Sequence, residues 1–184
     1  MMINSMDLVF FRGDGIISRL IRYFSRRKGQ PQPWANHVAT VSRPGILNDR
    51  VRYAPWVVEA LAGSDVVERP LKRYKGEMCI ARAQNISAET RRLMVVDLRK
   101  QVGKNYSEMA LLYFLFRADK WLAPLIGYKW RICSVVPSVI FSNYGYRFGV
   151  DHEASISPEE LLRFVEDECK NPLGKWVWVV PPQD

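Results

Sequence analysis

Two histidines, three cysteines and the carboxylates near them are the residues of this chain that could carry acid–base or nucleophilic chemistry. His37 opens the stretch NHVATVS (36–42), whose alternation puts His37, Ala39 and Val41 on one face of a strand. A turn-rich segment, RPGILNDR, separates it from WVVEA (56–60), and the two runs read as an antiparallel pair. Folding that hairpin about Asn48 sets His37 directly opposite Glu59, on the same face, with Cβ atoms about 5 Å apart. A carboxylate so placed accepts a proton from one ring nitrogen, fixes the tautomer and raises the basicity of the other nitrogen. His152 lies between Asp151 and Glu153 in a polar stretch and reads as an exposed loop histidine. Three such consecutive residues rarely converge on one metal ion.

Cys133 sits in WRICSVVPSVIF. The residues after it are apolar and compatible with a helix, which puts the sulfur at or near a helix N-terminus. There the unpaired amides and the helix dipole favour thiolate over thiol, and the same amides could hold an oxyanion. Pro137 is tolerable if the helix begins at Cys133 or Ser134, with a sharp turn into it. The competing reading of a cysteine beside apolar residues is a packed core side chain. Cys79, on an alternating strand, and Cys169, on the apolar stripe of a helix, read as core. An odd number of cysteines with no CxxC pair argues against a disulfide framework and against a zinc site. No metal and no cofactor is expected.

The elements that must position these residues follow from periodicity and punctuation. Asp7 to Phe11 reads as a strand; Ile17, Leu20, Ile21 and Phe24 recur at helical spacing, and KGQPQP (28–33) is a loop. Further strands are expected at Val66 to Glu68, Cys79 to Ala83 and Trp176 to Val180. Ser87 opens a helix that runs to about Val102 before Gly103. Ser157, Pro158 and Glu160 form the N-cap, first-turn proline and capping-box glutamate of a last helix, with Leu161, Leu162, Val165 and Cys169 as its buried stripe. Helices mixed with antiparallel strands give an α+β class. A chain of 184 residues with no internal repeat or dividing linker is expected to form one domain, 1–184.

The order of landmarks resembles the permuted papain-like peptidases and amidases, a superfamily that includes NlpC-type relatives and lecithin retinol acyltransferase. The resemblance rests on an aspartate-bearing strand (DLVFF, 7–11), a serine-led helix (SRLIRYFS, 18–25), a histidine strand (NHVATV, 36–41) and a strand ending in Glu-Ala (VVEA, 57–60). It continues through a segment ending in Pro-Leu (VVERPL, 66–71), an arginine-bearing strand (CIARA, 79–83), a Gly-x-x-Tyr element (GKNY, 103–106), the Cys-Ser helix and a Ser-Pro-led helix (SPEELL, 157–162). The histidine precedes the cysteine in the chain, as a circular permutation of papain would produce. The resemblance implies a circularly permuted papain-like (NlpC-type) fold, an antiparallel sheet packed against helices. It also implies a cysteine hydrolase, with Cys133 as nucleophile, His37 as general base and then acid, and Glu59 as the orienting third residue. The implied substrate is a peptide, amide or acyl group, with cell-wall peptide the first choice. Two other readings stand beside it: a lipid acyltransferase or lipase of the same fold, and a non-catalytic binding module of a bacterium or phage.

The net charge of +8 is concentrated early, at Arg12, Arg19, Arg22, Arg26, Arg27 and Lys28. The segment 12–28 either contacts an anionic surface or lipid or is simply a solvated helix face. No nucleic-acid motif accompanies the charge, and aromatic residues do not interleave with it as a base-stacking sheet requires, so nucleic acid is not an expected partner. Met109 to Gly127 is apolar but interrupted by Arg117, Asp119 and Lys120, far short of the roughly 20 residues a membrane span needs. It reads as a buried helix and loop, or as a flap for an acyl chain. The first residues, MMINSMDLVFFRGDG, carry Asp7 and Arg12 where a signal peptide is apolar, so a cytoplasmic location is expected; a bacterial or phage-encoded origin accompanies the family resemblance as one option.

Overall fold

The computed structural model describes residues 1–13, 34–47, 53–61, 65–71, 77–105, 133–149 and 156–182. Its centre is a sheet of six strands rich in β-branched and aromatic residues, the types that suit a pleated, packed surface. These are β2 (Leu8–Arg12), β3 (His37–Arg43), β5 (Trp56–Ala60), β6 (Val66–Pro70), β7 (Glu77–Ala83) and β8 (Trp176–Val180). In space they run β6-β5-β3-β2-β7-β8, and every neighbouring pair is antiparallel. The strands expected from alternation are all present. The turn-rich segment after β3 holds more than a turn: β4 (Gly45–Ile46) pairs with β1 (Met2–Ile3) in a separate ribbon, Met2 opposite Ile46.

Side-chain alternation buries the sheet on both faces. Leu8, Phe10, Val38, Val58, Cys79 and Ala81 join one apolar cluster, while Val9, Phe11, Ala39, Val41, Val57 and Ile80 join the other. The first cluster is where the helices pack. From α1 (Ala88–Arg99) come Met94 and Leu98, from α2 (Val135–Asn143) Val136, Ile140 and Phe141, and from α3 (Pro158–Lys170) Leu161, Leu162 and Val165. The expected α+β class, an antiparallel sheet against helices, is what the chain forms.

Two of the three helices, α1 and α3, begin at the expected side-chain caps. Ser87 caps α1 by accepting from the Thr90 amide at 3.0 Å. That helix ends at Arg99, three residues before the expected Val102; a turn then leads to Gly103 at φ +80°. Ser157 and Glu160 form the expected capping box at α3, with both reciprocal hydrogen bonds at 3.0 Å. Gly174 ends the turn from α3 into β8, where an added Cβ would lie 1.8 Å from the Glu168 carbonyl oxygen. Only a residue without a side chain fits there.

The helix expected over 18–25, the loop 28–33, the basic positions Arg19 to Lys28, Tyr106, the apolar segment 109–127 and His152 lie outside the described residues. No helix among the described residues is long and apolar enough to cross a membrane.

Candidate active site

Cys133 lies in the turn that leads into α2, and Ser134 is that helix's N-cap residue. The helix is mostly apolar and largely packed; Val135, Val136, Pro137, Ser138, Ile140 and Phe141 are buried, and its C-terminal end reaches solvent. The helix starts at Val135, one or two residues later than expected, which sets Pro137 at its third position. There an N–H has no partner within the helix anyway, so the proline costs no hydrogen bond. The Ser134 hydroxyl does not cap the helix. It donates to the Ile156 carbonyl at 2.6 Å, tying the turn to the residue just before the α3 cap.

His37 is the first residue of β3, and Phe11, opposite it on β2, stacks against its ring at a tilt with centroids 5.6 Å apart. Its Nε2 lies 2.5 Å from Glu59 Oε2. The register that brings them together differs from the one read from the sequence. Thr40 pairs with Val58 and Val41 with Val57, and a bulge follows before Arg43 pairs with Trp56. Continued along the strand, that register sets Glu59 across from Ala39, so His37 and Glu59 are diagonal neighbours rather than directly opposed. The ladder has slipped by two residues. An even slip keeps each side chain on its face, and diagonal neighbours on one face remain within reach of long side chains.

Cys133 completes the group. It belongs to the helix-side cluster and Phe11 to the other, and its charge and side chain act on the His37 ring. Glu59 is fully buried, His37 is 16% exposed and Cys133 7% exposed. Burial of the ring opposes its charged form. The charge of a Cys133 thiolate, the hydrogen bonds to Cys133 and to Glu59 and the charge of Glu59 together outweigh that cost, and the pKa of His37 is raised to about 9. All three predicted residues are thus brought together. The other two cysteines are held as thiols by burial, which pushes Cys79 far up and Cys169 to about 11. All three cysteines are free of disulfides.

Two acid–base partners of the site escaped the sequence reading. Arg69, on β6, pairs through Nε with Glu59 Oε1, so the buried carboxylate is held from both sides. Glu159, in the first turn of α3, accepts from the amides of Trp34 and Ala35 at 2.8 and 3.0 Å and from Arg163 Nε at 2.9 Å. It thereby pins the backbone that leads directly into His37. Arg69 was within reach of a pattern argument, since it lies on the Glu59 face once β5 and β6 are paired. Glu159 carried no such signal beyond its i,i+4 pairing with Arg163, because the amides it holds are 124 and 125 residues away. Among the described residues no group of three His, Cys, Asp or Glu side chains could hold a metal ion.

Compared with known proteins, the chain matches no family model and no curated protein.

Proposed function

We propose that this protein is a cysteine hydrolase, a peptidase or amidase of the permuted papain-like type, with Cys133 as nucleophile, His37 as acid–base and Glu59 as the residue that orients the imidazole. One observation carries the reading: His37 Nε2 lies 2.5 Å from the buried Glu59 carboxylate, and Cys133, in the turn that opens an apolar helix, acts on the same ring. The permuted topology is part of the proposal, supported by the histidine strand preceding the cysteine helix in the chain.

The chemistry follows from proton positions. Nε2–H donates to Glu59, so Nδ1 is the nitrogen that exchanges a proton with sulfur. The thiolate attacks the carbonyl carbon of a peptide, amide or ester, and electrons move onto the carbonyl oxygen. Backbone amides at the start of α2 hold that oxyanion; Pro137 has no N–H to offer, so the donors precede it in the chain. Imidazolium then gives its proton to the leaving amine or alcohol, and a thioester remains on Cys133. Water, deprotonated by His37, hydrolyses the thioester and restores the thiolate–imidazolium pair.

An electrophilic thiol probe followed by intact-protein mass spectrometry is expected to give a single adduct, located on Cys133 and lost in Cys133→Ala. Labelling that persists unchanged in that variant defeats the assignment. Release from labelled wall peptide against labelled phospholipid then separates an amidase from a lipid acyltransferase.

A further inference from the structure

His37, Glu59 and Arg69 descend diagonally across three adjacent strands. Glu59 lies across from Val67 in the β5–β6 ladder and Val57 across from Arg69, so Arg69 is displaced from Glu59 by two residues along β6 and stays on its face. The same two-residue offset relates His37 to Glu59 across β3 and β5. Each Glu59 oxygen therefore has one partner, Oε2 the imidazole and Oε1 the guanidinium. Glu59 is completely buried, whereas the Arg69 side chain is 29% exposed and reaches solvent.

We propose that Arg69 is a positioning residue for His37: its guanidinium holds the Glu59 carboxylate in the one orientation that leaves Oε2 aimed at Nε2. A buried carboxylate held at a single oxygen can swing about its last bond, and the ring it orients follows it. A partner on the second oxygen removes that freedom. Lysine does not replace arginine here, since a point charge on a flexible stem fixes no plane. For turnover, the inference rests on the hydrolase reading; for the ring itself it does not. Among the described residues, Cys133 from the turn before α2 and Glu59 from β5 act on His37, with Arg69 of β6 acting through Glu59; Glu159 of α3 faces the Trp34 and Ala35 amides and Arg163.

The chain has two histidines, so ring nitrogen resonances of the full-length protein titrate as two signals, and His37→Asn identifies which belongs to His37. In Arg69→Gln the His37 midpoint is expected to rise by about one pH unit, because a positive charge beside the pair has gone. Alkylation of Cys133 by iodoacetamide at neutral pH is expected to slow by about tenfold through misplacement of the ring, and kcat to fall with KM little changed. Arg69→Lys is expected to keep the midpoint near that of the parent yet recover only part of the rate. A folded Arg69→Gln protein with the parent midpoint and the parent alkylation rate overturns the proposal. Should Arg69→Gln not fold, Arg69→Lys decides, and a parent alkylation rate there overturns it equally. If the midpoint moves as stated but the parent protein cleaves no acyl substrate, the hydrolase reading fails and the positioning role stands.

Discussion

A histidine whose pKa is raised to about 9 keeps its proton through neutral pH, and this shapes what His37 can do. In the proposed hydrolase, it is the acid that serves the leaving group. Above about pH 9 the ring loses its proton, so kcat/KM on a cleaved substrate is expected to fall there. Glu59→Gln removes a negative charge that stabilises the imidazolium, so the descending limb is expected to move to lower pH; a limb that stays put or rises argues against the pairing. The same shift links to stability. Because the folded value lies above the ordinary 6.5, the His37 contribution is complete below about pH 6.5 and is lost as pH rises through about 9. Urea unfolding of the parent and of His37→Asn should therefore differ more at pH 6 than at pH 9.5. Equal gaps at the two pH values would contradict this.

Elements hold these side chains through contacts that are themselves short-ranged. The turn into α2 is tied to Ile156 by Ser134, and one residue later Ser157 caps α3. Glu159, two positions further on, fixes the Trp34 and Ala35 amides beside His37. The start of α3 thus anchors both the cysteine turn and the histidine strand. Glu159→Ala leaves two inward-facing amides and a guanidinium without their acceptor, and is expected to cost about 1–3 kcal/mol of stability. It should also slow alkylation of Cys133. A variant that is destabilised but alkylated at the parent rate would show that Glu159 braces the fold without placing the ring.

For the molecule as a whole, both faces of the sheet are buried, and among the described residues Asp7 is a fully buried charge away from the site. Asp7 accepts from Arg82 at both oxygens, Nε to Oδ1 at 2.9 Å and an Nη to Oδ2 at 2.8 Å, while Oδ2 also accepts from the Asn4 amide. This pair joins the start of β2 to β7 and, through the Met2 carbonyl, to the ribbon strand β1. Asp7→Asn deprives a half-buried guanidinium of its counter-charge and is expected to lower the unfolding free energy by about 3 kcal/mol. A loss below about 1 kcal/mol in urea titration would place this pair among the weak surface ones.

What could be read from the residues alone depended on interactions within a few positions of one another. The caps at Ser87 and Ser157, the alternation of β3 and β5 and the apolar continuity of α2 are of this kind, and they appear where local chemistry requires them. So does the face shared by His37 and Glu59, because alternation decides faces even when the ladder slips by two. The slip itself was not legible. It is set by the bulge between Val41 and Arg43 and by the β4 segment pairing with β1, contacts that span the chain. The Glu159 anchor and the meeting of sulfur with imidazole belong to the same group, whereas Arg69 shares the Glu59 face by alternation once β5 and β6 pair. Each contact in that group joins residues whose separation along the chain carries no periodic trace, so only packing the helices against the sheet decides them.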